Sequence, residues 1–240
     1  LVQRGDDGRA QRAGAGAAAA QPRPFVPRPG ALGAPFPSIP ERLTGHLTAT
    51  VERPVPLLDE PGGRRLLTLR TKTEYGSARV LGVARRRGAW LGVQASELPN
   101  GRLGWLRTDQ AQLGHVPFAL KIDLSSRRLT VRREGRELRR MTVTIGGAKS
   151  PTPTGRFSVT DRLLVKDPRS PYGCCVLALT GHQPRLPPGW PGGDRLAVHA
   201  NRDPATLGQA RSLGCLRADP GQTRWLVDEI PLGTPVFIRA

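Results

Sequence analysis

The chain has 240 residues, of which 38% are hydrophobic, and its formal net charge at pH 7 is +18. This length accommodates one large domain, or two small domains and a linker, and no apolar run approaches the length needed to cross a bilayer. The 24 prolines and 29 glycines disfavour long helices and favour short strands separated by turns. We therefore expect a mainly β protein.

The basic charge raises the question of an anionic partner. Arginine supplies 33 of the 37 cations, but we find no helix-turn-helix, no zinc-finger spacing and no basic sheet interleaved with aromatic residues. Nucleic-acid binding is therefore the weakest of the functional hypotheses. A generally basic surface is favoured, and it would be attracted to an anionic polymer such as a bacterial wall.

Residues 1–45 combine an alanine- and glycine-rich run with seven prolines. Closely spaced prolines favour polyproline II, and few apolar side chains remain to build a core. We predict a disordered or semi-rigid tether. Because the chain begins with Leu1 rather than Met, we expect an upstream export or anchoring segment outside this sequence.

Residues 46–115 show short apolar alternations punctuated by turns. Asn100-Gly101 is a strong hairpin signal between the apolar runs at Trp90–Val93 and Leu103–Leu106. These runs resemble a bacterial SH3-like domain, which implies a small β-barrel. Its two tryptophans, Trp90 and Trp105, would either fill the core or line a groove for a peptide or wall fragment; the core is favoured, because so small a barrel needs large aromatics.

From Val116 the alternation of apolar and polar residues is clearer. It predicts a strand over 118–124, a return strand through Leu129 and Val131 after a turn at 125–127, and a third strand over 141–145 after a second turn at Glu134-Gly135. This is an antiparallel meander. Further strands are expected at 157–160, 174–179, 195–199 and 236–238, the last docked to the sheet.

Loops and short helices fill the remainder of this region. Ser150-Pro151-Thr152-Pro153-Thr154 predicts a rigid loop able to wall a cleft, and the proline- and glycine-rich run 181–194 predicts a lid. Asp203-Pro204 and Asp219-Pro220 each predict a capped helix start. Cys215 is therefore expected in a tight turn between two short helices.

The three cysteines do not indicate a disulfide framework. Adjacent Cys174 and Cys175 would point to opposite faces of a strand, so we do not expect them to bridge each other. Without a C-x-x-C or H-x-x-x-H pair, a zinc site is not expected. Cys215 is left as the unpaired thiol.

His199 and Cys215, separated by 215 − 199 = 16 positions, are a candidate base and nucleophile, because neutral imidazole can take the proton of a thiol. Gly214 allows close approach to a substrate, and the amides of Gly214 and Cys215 could face an oxyanion. Ser212 could hydrogen-bond within the turn or orient His199. Arg217 could favour the thiolate or bind a substrate carboxylate. A lone cysteine and a lone histidine are more often structural, so context decides.

That context is a resemblance to the catalytic domain of L,D-transpeptidases, the cysteine enzymes that cross-link bacterial peptidoglycan. It spans residues 116–240 and rests on ordered motifs: the opening hairpin L-x-I-D-L-S-S-R-R-L-T-V, the loop P-T-P-T-G-R-F, the strand L-A-V-H, the turn S-L-G-C-L-R, and the closing L-V-D-E-I-P-L-G-T-P-V-F-I. The resemblance implies a mixed β-sandwich with short helices around the cysteine.

The resemblance also implies roles for individual residues. Cys215 matches the nucleophile and His199 the general base and acid; Ser212, Leu213 and Gly214 match the oxyanion and site-shaping positions, and Arg217 a substrate-binding position. The family most often has histidine where this chain has Leu213. The implied partners are donor and acceptor stem peptides, with carbapenem-type β-lactams as covalent inhibitors, no cofactor or metal, and a location in the bacterial envelope outside the cytoplasm.

Two alternatives stay open besides nucleic-acid binding. Water instead of an amine could resolve the acyl-enzyme, giving an L,D-carboxypeptidase or endopeptidase. Alternatively, the SH3-like segment, the basic surface and Leu213 could mark a wall-binding protein with a lapsed catalytic domain.

Overall fold

The computed structural model describes residues 45–240. Apart from Gly45, the predicted tether lies outside the described residues. No helix among the residues from 45 onward is long and apolar enough to cross a membrane.

The first half of this region forms a seven-stranded sheet, the N-terminal sheet, with its own apolar core. Its strands are β1 (His46–Thr50), β2 (Val55–Leu58), β3 (Arg65–Leu69), β4 (Val80–Arg87), β5 (Trp90–Val93), β6 (Gly104–Arg107) and β7 (Gln112–Val116), in the order β3-β2-β6-β5-β4-β1-β7. The likeness to an SH3-like domain, and the boundary at residue 115, stay predictions.

The predicted pairing around Asn100-Gly101 is confirmed, since β5 and β6 are antiparallel with Leu91 opposite Leu106. The tight hairpin is wrong, because the connection runs through residues 94–103. The side chain of Asn100 is engaged elsewhere: it exchanges two hydrogen bonds with the backbone of His182, at 2.7 and 2.8 Å. Trp105 is buried as predicted, whereas Trp90 is only half-buried.

The second half forms an eight-stranded mixed sheet, the C-terminal sheet, and a two-stranded parallel pair, β11 with β15. Its elements are β8 (Phe118–Asp123), β9 (Arg128–Arg133), β10 (Arg136–Thr142), β11 (Ile145–Gly146), β12 (Gly155–Leu164), β13 (Cys175–His182), β14 (Arg195–Ala200), β15 (Ala210–Ser212), β16 (Leu216–Ala218), α1 (Pro220–Glu229) and β17 (Pro235–Arg239). The sheet order is β10-β9-β8-β17-β12-β13-β14-β16. The mainly β class is thereby confirmed.

The meander β8-β9-β10 is antiparallel as predicted. The third strand, however, begins at Arg136 and ends at Thr142, so the expected strand over 141–145 is divided between β10 and β11. The C-terminal strand β17 lies at the centre of the sheet, parallel to β8 and antiparallel to β12. The predicted docking of the chain end is therefore confirmed.

Both capped starts are confirmed. The carboxylate of Asp219 accepts hydrogen bonds from the amides of Gly221 and Gln222 at the start of α1. The carboxylate of Asp203 accepts from the amide of Ala205, but only a single 3-10 turn, Pro204–Thr206, follows. The expectation that Cys215 sits between two helices is wrong: it lies between strands β15 and β16.

Cys174 and Cys175 form a disulfide, so the expectation that they would not bridge was wrong. That argument placed both residues on a strand, where neighbouring side chains diverge. β13 begins only at Cys175, and Cys174 belongs to the turn after Gly173, whose φ is +68°. Cys215 is the one free cysteine of the described region, as predicted.

Candidate active site

The cysteine turn is closed by Ser212. Its hydroxyl donates to the carbonyl of Cys215 at 2.6 Å and accepts from the amide of Gly214 at 3.1 Å. Of the two roles considered for Ser212, the structure shows the one within the turn. Because the Gly214 amide is engaged, the amide of Cys215 is the predicted oxyanion donor that stays unpaired among residues 45–240.

Gly214 is required by the backbone of this turn. Its φ is +113°, a conformation that residues with a Cβ rarely adopt, and a Cβ here would meet the side chain of Gln183. The side-chain amide of Gln183 donates to the backbone carbonyl of Pro151 at 2.9 Å. The turn is thus packed against a fixed polar side chain.

The Pro-Thr-Pro-Thr loop supports the turn from the other side. The buried hydroxyl of Thr152 donates to the carbonyl of Gly214 at 2.8 Å and accepts from the amide of Gly146 at 2.8 Å. Gly146 lies on β11, which pairs in parallel with β15. The loop therefore fixes the position of the cysteine turn, besides any walling of a cleft.

Strand β14 brings the cysteine turn and His199 together. β14 and β16 are parallel, with Val198 opposite Leu216 and His199 opposite Arg217. The sulfur of Cys215 lies against the preceding part of β14, 3.7 Å from the carbonyl oxygen of Arg195, and the backbone of Ala197 acts to lower the pKa of the thiol. The thiol therefore lies beside β14, and the imidazole of His199 belongs to the same strand.

His199 is held as a neutral imidazole. Its Nδ1 lies 3.1 Å from the carbonyl oxygen of Ala200, which favours the tautomer with the proton on Nδ1 and leaves Nε2 able to accept one. Burial lowers the pKa of His199 to about 4; hydrogen bonding to the backbone of Ala200 and Tyr172 opposes this shift, and the charge of Arg217 adds to it. The ring of Tyr172 meets the imidazole edge to face, at 5.2 Å between centroids.

The thiol is also neutral at rest. Burial raises the pKa of Cys215, and this exceeds the opposite effects of the Ala197 backbone and the Arg217 charge. Since the imidazole pKa is lowered and the thiol pKa is raised, the resting pair is thiol and imidazole rather than thiolate and imidazolium. A neutral imidazole is the form that can take a proton from a thiol when the sulfur attacks an acyl carbon.

The charge of Arg217 acts on both His199 and Cys215, and its side chain has an unused hydrogen-bond donor. Its backbone exchanges two hydrogen bonds with Thr144 at 2.8 and 3.0 Å, which fixes it on β16. Its Nε is buried and has no hydrogen-bond partner within the part of the chain that the structure describes. An arginine with a buried, unpaired donor is suited to bind a carboxylate.

Several residues of this site could not be predicted from the sequence. Tyr172 and Gln183 carry no sequence signal, because neither belongs to a regular strand pattern. Thr152 stands within a motif that was noted, but its contact with Gly214 could not be read from it. Leu213, predicted to shape the site, is half-buried in the turn.

The predicted lid over 181–194 borders the site at two points. Gln183 lies at its start and packs on Gly214. Near its end, the carbonyl of Gly192 lies 3.5 Å from the hydroxyl of Tyr172. Residues 181 and 182 belong to β13, so the loop itself spans 183–194.

The site combines a cysteine thiol with a neutral histidine beside one strand of a mixed β-sheet. No cluster of metal-ligating side chains occurs among residues 45–240. The model of the L,D-transpeptidase catalytic domain family, YkuD, matches residues 117–238. The chain belongs to this family.

Individual relatives are distant. The YkuD protein of Bacillus subtilis is 25% identical over 123 residues, which cover 51% of this chain and 66% of that protein, so the match spans slightly less than two thirds of that relative. An L,D-transpeptidase from Mycobacterium smegmatis is 20% identical over 60% of this chain and 76% of its own, with a TM-score of 0.40. L,D-transpeptidase 3 from Mycobacterium tuberculosis, solved with a faropenem-derived adduct, is 17% identical over 57% of this chain and 66% of its own, with a TM-score of 0.42.

Proposed function

We propose that this protein is a peptidoglycan L,D-transpeptidase that forms stem-peptide cross-links through a thioester on Cys215. The observation that carries the proposal is the position of the Cys215 thiol beside β14, the strand that carries the neutral His199 imidazole, within a region that matches the family. Residue roles, substrate and location are all part of the proposal.

In the first half-reaction, the sulfur of Cys215 attacks the carbonyl carbon of the bond between an L-centred diamino acid and a terminal D-alanine in the donor stem. Nε2 of His199 takes the thiol proton and delivers it to the leaving amine. The Cys215 amide donates to the developing oxyanion, and Arg217 binds a substrate carboxylate. D-alanine leaves and a thioester remains.

In the second half-reaction, an amine of a neighbouring stem attacks the thioester. His199 takes a proton from this amine and returns it to the sulfur as the new peptide bond forms. Water in place of the amine would give the carboxypeptidase or endopeptidase outcome. Leu213 stands where the family most often has a histidine. We therefore assign His199 as the one base for both half-reactions.

The site of action we propose is the bacterial envelope outside the cytoplasm, where peptidoglycan is cross-linked. The net charge of +18 supports retention near an anionic wall. We also expect carbapenem-type β-lactams to acylate Cys215, since they present a strained carbonyl to the same nucleophile.

The test is turnover of a tetrapeptide stem with and without an acceptor amine, followed by mass spectrometry. Wild type should release D-alanine, form a thioester and, with the acceptor, yield the cross-linked dimer; Cys215→Ala should do none of these while unfolding at the same temperature. Hydrolysed product alone, even with acceptor, would assign the carboxypeptidase. Binding to purified peptidoglycan without turnover would assign a wall-binding protein, and turnover by Cys215→Ala would remove the nucleophile.

A further inference from the structure

One loop of the N-terminal sheet reaches the candidate active site. Residues 70–79, between β3 and β4, are held in one shape by internal hydrogen bonds: the amide of Thr73 donates to the carbonyl of Ser77 at 3.0 Å, and that of Gly76 to the carbonyl of Thr73 at 3.1 Å. The guanidinium of Arg79, a buried residue, donates to the carbonyls of Arg70 and Lys72. The loop is therefore a fixed structure.

Two contacts attach this loop to the C-terminal sheet. The hydroxyl of Thr73 donates to the carboxylate of Asp161, which is fully buried on β12. The carboxylate of Glu74 pairs with the guanidinium of Arg195 on β14. The residue that follows these anchors, Tyr75, is consequently fixed relative to β14.

Arg195 contacts both Tyr75 and the Cys215 sulfur, the first through its guanidinium and the second through its backbone carbonyl. The Arg195 guanidinium stands over the Tyr75 ring, 5.9 Å from its centroid, while the Arg195 carbonyl oxygen is 3.7 Å from the Cys215 sulfur. The charge of Arg195 is already matched by Glu74. Tyr75 nevertheless keeps 49% of its surface exposed, so one side of the ring is available to a ligand.

The phenol of Tyr75 interacts electrostatically with several groups, one of which is Cys215. Burial raises the pKa of Tyr75, and Asp161, Tyr172, Asp194 and Cys215 raise it further when they are ionised. Cys215 likewise contributes to the raised pKa of Tyr172. Both phenols therefore lie within electrostatic reach of the sulfur and stay neutral, each able to donate and to accept a hydrogen bond.

We propose that Tyr75, supplied by the N-terminal sheet, lines the cleft of Cys215 and contacts the donor stem peptide. Its ring packs on the aliphatic part of the donor side chain, and its hydroxyl hydrogen-bonds a peptide group. That the ligand is a stem peptide rests on the proposed function; that Tyr75 borders the approach to the thiol does not.

The first experiment separates KM from kcat for the tetrapeptide donor. Tyr75→Phe removes one hydrogen bond and should raise KM about threefold, and Tyr75→Ala roughly tenfold. kcat should stay within about twofold, because a contact present in both ground and transition states affects binding alone. Leu113 is an exposed apolar residue on β7, so Leu113→Ala is the matched control and should change neither constant.

The second experiment needs no turnover. Cys215 is alkylated with iodoacetamide, which is small, and with a bulky N-aryl maleimide. Tyr75→Ala should speed the maleimide reaction at least threefold relative to iodoacetamide, because removing the ring opens the approach, whereas Leu113→Ala should leave the ratio unchanged.

The two experiments fail separately. An active wild type whose KM is the same in both Tyr75 variants overturns the inference and leaves the proposed function intact. A wild type that turns over no stem peptide overturns the proposed function, and the alkylation ratio then decides whether Tyr75 lines the approach to Cys215; an unchanged ratio overturns it.

Discussion

Replacing Gly214 with alanine tests whether the cysteine turn is held by the contacts described above. The new methyl group would enter a backbone conformation with φ of +113° and would meet the side chain of Gln183, whose Cδ lies 2.8 Å from the ideal Cβ position. Gln183 can move only by giving up its hydrogen bonds to the carbonyls of Ser150 and Pro151. Strain in the turn and loss of these bonds therefore occur together.

The expected loss of stability is the sum of two parts, the backbone strain and the lost hydrogen bonds. A positive φ costs an alanine about 1–2 kcal/mol, and each lost hydrogen bond costs about 1 kcal/mol. We expect Gly214→Ala to lower the free energy of unfolding by roughly 3–4 kcal/mol. Gly62→Ala is the control, because Gly62 has φ of +73° and no heavy atom within 4 Å of the ideal Cβ; only the first part applies to it.

Urea unfolding of both variants measures the difference, and iodoacetamide reports whether the thiol has moved. Gly214→Ala should be the less stable variant and should show an altered alkylation rate, while Gly62→Ala alkylates as wild type. Adding Gln183→Ala to Gly214→Ala should cost less than the sum of the single changes, because the obstructing side chain is gone. Equal stability of the two glycine variants, with additive effects of Gln183→Ala, would refute the reasoning.

Two further predictions concern buried polar groups. The pKa of His199 is about 4 in the folded chain and about 6.5 in the unfolded chain. As the pH falls from 6.5 towards 4, the unfolded chain binds the extra proton, so the free energy of unfolding falls by about 3 kcal/mol. His199→Gln should lack this decrease, and parallel curves of stability against pH for the variant and wild type would contradict the prediction. Thr73→Val removes the donor to buried Asp161, one of whose oxygens is already unpaired among residues 45–240. Thermal or urea unfolding should show that the free energy of unfolding falls by about 1–3 kcal/mol. The control Thr68→Val, at an exposed threonine, should lower it by less than about 0.5 kcal/mol.

Much of the fold could be predicted because its signals are local. The alternation from Phe118 to Leu124 is set by one buried face, and the capped start at Asp219-Pro220 needs only neighbouring residues. Errors arose where a local pattern has several outcomes. Asn100-Gly101 is compatible with a tight hairpin, but its side chain is used by His182, and the disulfide of Cys174 depends on where β13 begins.

The candidate site divides in the same way. The sequence identifies the candidate site residues, because the proposed acyl chemistry needs particular groups and the family motif keeps them in order: His199, Ser212, Gly214, Cys215 and Arg217. The protonation states of these residues could not be predicted from the sequence. That the thiol and imidazole rest neutral depends on burial, which is a property of the packed sheet.

Residue types and their order are enough to derive the mainly β class, the family and the chemical groups available. Which groups meet depends on tertiary packing: Gln183 and Thr152 at the cysteine turn, Tyr172 against His199, and Tyr75 beside Arg195. These contacts join residues far apart in the chain, for example Glu74 and Arg195. No local pattern encodes such a meeting, because it follows from the register and order of two sheets packed together.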